Sequence, residues 1–270
     1  MKLGLSSFAY AWAIGVPGHL PAQPLDALAL LAEAQRLGVR VLQVGDNLPL
    51  IALDPAQLSA FEHRTRDAGI AVELGMRGLR HEEVLAHLAL ARRLGSPFLR
   101  IVADSHGDEP TPAEVVARLR ALLPAARRCG VKLALENHDR FSTAALVSIV
   151  EQAGPADVGI CLDTVNSLGS LEGPEVVVGR VAPYTLNLHL KDFSIQRVPS
   201  MMGFTITGAP AGEGRLDVPW VLAQLRAAGR EVNAILESWP PFGPTLEATI
   251  GRERTWAETG VRNMRTLIPG

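Results

Sequence analysis

Strand-like and helix-like runs alternate along this chain from end to end, and glycine marks the joins. Gly38, Gly69, Gly95, Gly130 and Gly229 each close a stretch with apolar residues at three- and four-residue spacing, and each stands shortly before an apolar run. A glycine past the end of a helix can take the left-handed conformation that terminates it. Helix, glycine, strand, repeated in this way, is the pattern of a parallel sheet wrapped by helices. Eight strands can be placed, at residues 3–8, 39–45, 70–76, 98–103, 131–137, 158–163, 185–190 and 233–238. Helical spacing marks 25–37, 55–68, 81–94, 111–129 and 218–228 among the segments between them. In a chain of 270 residues, 47% of them apolar, this matches one α/β domain over residues 1–270, a single (β/α)8 or TIM barrel with enough apolar side chain to fill its core.

The strand ends carry a second pattern. Glu136 follows Val131-Lys-Leu-Ala-Leu135, Asp163 follows Val158-Gly-Ile-Cys-Leu162, His189 follows Tyr184-Thr-Leu-Asn-Leu188, and Glu237 follows Val232-Asn-Ala-Ile-Leu236. In a closed parallel barrel these ends converge on one mouth, where such folds carry their chemistry. Alternation agrees: Thr185, Asn187, His189 and Lys191 share one face of the seventh strand, and Leu186, Leu188 and Leu190 the other. The same phase turns Ala134 and Glu136, Cys161 and Asp163, and Ile235 and Glu237 inward, with Ser6, Phe8, Gln43, Gly45, Glu73, Arg77, Arg100 and Asp104 from the earlier strands. Three carboxylates and one imidazole form a hard ligand set for a divalent metal ion, Mn²⁺, Mg²⁺ or Co²⁺ being favoured and Zn²⁺ also admissible. A lone acidic residue at a strand end is more often a cap or a salt-bridge partner. Four in phase are better explained as a site.

Such a cation, with open coordination positions, can chelate adjacent oxygens of an α-hydroxy-carbonyl compound and stabilise the enediolate left when a proton is lost. Glu136 and Glu237, from strands five and eight, are the candidate catalytic acid and base on the two faces of the substrate. Lys191, Arg77 and Arg100 are candidates to hold a substrate oxyanion or carboxylate; for Lys191 a salt bridge to Asp192 or to a ligand carboxylate is the plain alternative. His138, beside Glu136, is a candidate donor that orients the metal ligands. Residues 192–215 form the longest irregular stretch, and Met201-Met-Gly-Phe204 within it suggests a cover over the mouth. The amides of Gly212-Glu-Gly-Arg215, together with the Arg215 guanidinium, suggest an anion site, an ordinary turn being the alternative.

Twenty-six basic against 28 acidic residues, a formal charge of -2, give no electrostatic footprint for nucleic acid. Cys129 and Cys161 are the only cysteines, too few for a disulfide framework, which favours a reducing, cytoplasmic setting. Lys2 and the apolar residues after it resemble a short secretory signal, but the same residues are required as the first strand. No apolar stretch reaches the roughly 18 residues of a membrane span, so no membrane association is expected.

The motifs also resemble a known family. Leu135-Glu-Asn-His138, Cys161-Leu-Asp-Thr-Val-Asn166, Leu188-His-Leu-Lys-Asp192, Gly212-Glu-Gly-Arg-Leu-Asp217 and Ile235-Leu-Glu237 are similar to the signature of the xylose isomerase-like TIM-barrel superfamily, in its sugar phosphate isomerase/epimerase branch. The resemblance implies the same ligand quartet, the two glutamates as acid/base pair, and Arg215 as the arginine after the glycine turn. Where many epimerases of the branch have a histidine, this chain has Asn166, so substrate contacts there are expected to differ. The additional zinc-binding histidines of the superfamily's DNA-repair members are not evident. Glu136-Asn-His-Asp-Arg-Phe141, Leu162-Asp-Thr-Val-Asn-Ser167 and Met202-Gly-Phe204 further resemble 3-oxo-isoapionate decarboxylases. The first expectation is therefore a divalent-metal-dependent isomerase or epimerase acting on a ketose, sugar phosphate or hydroxy-keto acid. The alternatives are a metal-dependent decarboxylase of a 3-oxo sugar acid and a non-catalytic sugar-binding barrel. The expected partner is a small-molecule carbohydrate, and a homo-oligomer built through the outer helices is compatible with such a barrel.

Overall fold

The computed structural model describes residues 1–269. The barrel strands are β1 (Leu3–Ser6), β2 (Val41–Val44), β3 (Ala71–Arg77), β4 (Phe98–Val102), β5 (Lys132–Glu136), β6 (Val158–Asp163) and β7 (Thr185–Leu190); after the hairpin strands β8 (Asp192–Arg197) and β9 (Phe204–Ala209), β10 (Ala234–Leu236) completes the ring. Their order is β1-β10-β7-β6-β5-β4-β3-β2, closed and parallel throughout. The helices are α1 (Ala11–Ile14), α2 (Ala27–Leu37), α3 (Pro55–Asp67), α4 (His81–Leu94), α5 (Pro112–Cys129), α6 (Thr143–Ala153), α7 (Pro174–Val181), α8 (Val218–Ala227) and α9 (Leu246–Met264). All eight expected strands and all five expected helices are present, three of them with the expected bounds and the others with ends differing by at most a few residues.

Local chemistry explains the boundaries. On α5, Thr111 accepts from the Glu114 amide while Glu114 reaches back to the Thr111 amide, with Pro112 opening the first turn; such a cap stabilises a helix by about 1 kcal/mol. Gly130 (φ 68) then ends it in the left-handed region, and Val115, Leu119, Leu122 and Ala126 bury the inner face against the barrel. β1 stops at Ser6 rather than at residue 8. The Ser6 hydroxyl accepts from the Phe8 amide (3.1 Å) and starts a 3-10 turn over Ser7–Tyr10.

Two expectations are corrected. Register shifts between β6 and β7, where Ile160 pairs with Thr185 and Cys161 with Asn187, so that Leu186 bulges. Leu186 therefore packs with Phe98, Ala134 and Cys161 instead of joining Leu188 and Leu190 against the helices, while the Thr185 hydroxyl donates to the Val181 carbonyl (3.0 Å). Second, residues 192–215 are not one irregular stretch, since a two-stranded hairpin occupies 192–209. β8 and β9 pair antiparallel from Asp192↔Ala209 to Arg197↔Phe204; of the residues that suggested a cover, Met201, Met202 and Gly203 form the exposed turn between the strands and Phe204 opens β9.

Candidate metal centre

The four strand-end residues meet. His189 Nδ1 lies 3.4 Å from Glu237 Oε1, 3.6 Å from Glu136 Oε2 and 3.8 Å from Asp163 Oδ2, and all four residues are buried. Asp163 Oδ2, His189 Nδ1 and Glu237 Oε2 are buried without a hydrogen-bond partner. The ligand atoms of Asp163, His189 and Glu237, all within 4.8 Å of one another, form a hard donor set that fits a divalent cation. A second group of ligand atoms, from Glu136, Cys161 and His189, shares the imidazole. Sequence reasoning placed Cys161 on the inward face without considering it as a ligand.

Each carboxylate is aimed by a neighbour. Asp163 Oδ1 accepts from the amides of Val165 and Asn166 (both 2.8 Å), which leaves Oδ2 facing the centre. Asn137 fastens the β5 and β6 ends together, donating to the Asp163 carbonyl (2.8 Å) and accepting from its amide (2.7 Å). Glu237 Oε1 accepts from the Ser6 hydroxyl (2.8 Å). Glu136 is held most firmly: Arg100 donates to Oε2 through Nε, and Asn166 Nδ2 donates to Oε1 at 2.7 Å. Burial alone would raise the Glu136 carboxyl, but the charges of Arg100, His189 and Lys191 outweigh it and hold the group well below the usual carboxylate range.

His189 is oriented from below. Its Nε2 bonds Gln43 Oε1 at 2.6 Å, and Gln43 Nε2 donates to Glu73 Oε2 (3.2 Å) and Asn187 Oδ1 (3.0 Å). Glu73 also accepts from Asn187 Nδ2 (3.0 Å) and Asn233 Nδ2 (2.8 Å). Burial raises the Glu73 pKa against the lowering effect of these amides, and the three side-chain amides that donate to its carboxyl oxygens are thereby fixed in orientation. Gln43 must then present its oxygen to the imidazole, so Nε2 carries hydrogen and Nδ1 points at the ligand cluster. Burial opposes a positive charge on His189, yet its pKa is pushed well above the ordinary imidazole value. Cys161 is itself pushed up to about 11 by burial and is neutral at pH 7, so the two glutamates and Asp163 are the physical cause.

The remaining candidates divide. Lys191 stands in the centre, with Nζ 2.8 Å from Asp163 Oδ2 and 2.9 Å from Glu237 Oε2, the plain alternative for a lysine here. With His138, Asp139, Asn166, Ile206 and Trp239 it lines a cavity of about 430 Å³. His138 turns to Asp139 in the same loop and faces this cavity, while Asn137 does the orienting that His138 was a candidate for. Arg77 pairs with Asp104 (3.0 Å) and lies 3.8 Å from Asp46, in a neighbouring cavity of about 490 Å³ beside α4. Arg100 joins the two regions, since its NH1 donates to Asp46 at 2.9 Å. Arg215 is exposed, and the glycine turn has no amides to spare. Gly212, Gly214 and Leu216 donate theirs to the buried Asp192 carboxylate at 2.9, 2.9 and 3.0 Å, which makes the turn an internal fastening for the hairpin. Asp192 lies so close to Gly214 that a Cβ there would collide with it.

A closed parallel barrel whose mouth buries a cluster of Glu, Asp, His and Cys able to hold a divalent metal ion defines the class. The chain belongs to the xylose isomerase-like TIM barrel family, whose model matches residues 2–267. It is 33% identical over 269 residues to 3-oxo-isoapionate decarboxylase of Pectobacterium atrosepticum, a match covering 100% of this chain and 97% of that one. Among solved structures it resembles a D-psicose 3-epimerase from Clostridium cellulolyticum with D-tagatose, at TM-score 0.72, 16% identity and 99% of both chains. A xylose isomerase-like TIM barrel protein from Mycobacterium smegmatis in complex with magnesium superposes at TM-score 0.70, with 16% identity over 97% of each chain. Among the described residues no helix is long and apolar enough to cross a membrane.

Proposed function

We propose that this protein is a divalent-metal-dependent decarboxylase of a 3-oxo sugar acid. This reverses the order of the two enzymatic readings offered by the sequence motifs. Its full-length likeness to a 3-oxo-isoapionate decarboxylase supports the new order, and the observation that carries the choice is the condition of Glu136. Epimerisation, which takes a proton from one face of a carbon and returns one to the other, calls for an acid/base group on each face. Glu136 has both oxygens engaged, by Arg100 and Asn166, and its basicity is lowered, so it is suited to anchoring and poorly suited to taking up a proton. Decarboxylation needs only one proton delivered, after the carboxylate has gone.

A cation held by Glu136, Asp163, His189 and Glu237 would supply Lewis acidity, drawing electron density toward the 3-oxo group. The bond from C2 to the carboxylate breaks, its electron pair moves toward the 3-oxo oxygen, CO₂ leaves, and C2 then gains a proton. We assign to Glu237, steadied by Ser6 at Oε1, the relay of that proton from solvent to C2. Trp239 and Ile206 wall the adjoining cavity and limit water beside the carbanion.

A second reading, isomerisation or epimerisation of a ketose or hydroxy-keto acid, is favoured by one feature. Glu136 and Glu237 approach His189 Nδ1 from different strands at nearly equal distances, 3.6 and 3.4 Å. Incubating Mn²⁺-loaded protein with a 3-oxo sugar acid in D₂O tests both. Stoichiometric CO₂ with one deuterium at C2 is the expected result; deuterium exchange without CO₂ would replace this reading with the second. Glu237→Gln is expected to lose at least about a hundredfold in turnover, roughly 3 kcal/mol of barrier, with ligand binding retained. Ligand binding without turnover in the wild type would leave a sugar-binding barrel.

A further inference from the structure

Lys191 stands against the oxygens that a divalent cation would use. Its Nζ is 2.8 Å from Asp163 Oδ2 and 2.9 Å from Glu237 Oε2, yet neither oxygen receives a hydrogen bond. The ammonium balances their charge from off the bonding directions, and the hydrogen bond it does make goes to Asn166 Oδ1 at 3.2 Å. The lone pairs of Asp163 and Glu237 therefore remain available to a ligand that approaches from the His189 side.

We propose that Lys191 is an exchangeable counter-ion: it balances Asp163 and Glu237 while no divalent cation is bound, gives way when one binds, and then presents its charge to an anionic group of the substrate in the adjoining cavity. This rests on the metal reading above and adds the residue that meets the substrate's carboxylate and the condition under which it is free to do so. The three permanent cations of the mouth differ in what a metal does to them. Arg77 keeps Asp104, and Arg100 keeps Asp46 whatever happens at Glu136. Lys191 alone loses both carboxylate partners to the incoming ion, and a like charge at such short range repels it. Its flexible four-carbon stem permits the move, and its side chain, 14% exposed, already borders the cavity of about 430 Å³. The other ionisable pair there, His138 with Asp139, is internally matched.

The test compares the full-length wild type with Lys191→Met, each stripped by chelation and then titrated with MnCl₂. A lysine that balances the empty centre predicts a lower melting temperature for stripped Lys191→Met than for stripped wild type, and equal melting once both are loaded. Calorimetry should show Mn²⁺ binding at least about tenfold tighter in the variant. Hydroxypyruvate and dihydroxyacetone then serve as probes on loaded protein, since they share a hydroxy-ketone and differ in a carboxylate. The wild type should prefer hydroxypyruvate by at least about fivefold more than the variant does; direct contact of the carboxylate with the metal is common to both proteins and cancels. Equal melting of the stripped proteins, unchanged Mn²⁺ affinity, or an unchanged probe preference would each overturn the proposal. Failure of both proteins to bind Mn²⁺ would remove the metal reading and this inference with it, an outcome distinct from the other three.

Discussion

Gln43 has no chemistry to offer a substrate, yet the direction of the ligand imidazole depends on it. It is 146 residues from His189 in sequence and 2.6 Å away in space. Replacing it by leucine keeps the bulk and removes the acceptor, so His189 loses its fixed tautomer; Mn²⁺ affinity by calorimetry should fall by roughly 10–100-fold, and an unchanged affinity would show that packing alone aims the ring. A pH effect belongs to the same residue. Since the pKa of His189 is raised in the metal-free fold, a proton competes with the cation for Nδ1, and binding must release it. Affinity is expected to rise from pH 6 to 8, with proton uptake by the buffer visible as a dependence of the binding heat on buffer ionisation. The meeting of Glu136, Asp163, His189 and Glu237 was legible because each ends an apolar run in a common phase. Gln43, Glu73 and Arg100 were legible as inward residues only, because their roles depend on partners brought together by barrel closure. Arg100 in particular read as a free cation, whereas it is committed to Glu136 and Asp46.

Among the elements, the hairpin and α1 frame the mouth, and each is held by one buried carboxylate. Asp192 gathers the amides of the glycine turn, and this is why residues rich in glycine looked like a loop from sequence alone: the fastening side chain comes 20 residues before the first amide of that turn. Glu253 on α9, fully buried, accepts from the amides of Trp12 (2.8 Å) and Ala13 (2.9 Å) at the start of α1. Burial raises its pKa to about 7, against the lowering effect of those two amides. The folded state thus keeps this proton where the unfolded chain has released it. The associated stability is full below about pH 4.5 and is lost as pH rises to about 7, a loss of roughly 3 kcal/mol. Glu253→Gln cannot ionise, so its melting temperature should gain on the wild type between pH 5 and pH 8. Parallel melting curves across that range would sink the assignment.

For the whole molecule, closure is what makes the site. β1 pairs with β10 through Leu3↔Ala234 and Leu5↔Leu236, which seats Ser6 beside Glu237, 231 residues away. The alternation of strands and helices announced the barrel; the bulge at Leu186 was hidden, because register depends on which partner strand is present. Cation binding and folding are consequently linked: at a hundred times its dissociation constant, Mn²⁺ should stabilise the fold by about 2.7 kcal/mol, raising the melting temperature by roughly 5–10 °C over chelator-treated protein. No shift would mean that the unpartnered atoms are satisfied in another way. The mouth also has a valence. Asp46, Asp104, Glu136, Asp163 and Glu237 face Arg77, Arg100 and Lys191, and with the proton on His189 five anions meet four cations; a doubly charged ion that displaces that proton brings the sum to zero. Sodium would leave the rim still negative and a lanthanide would overshoot neutrality; the barrel in effect counts charge before it measures radius.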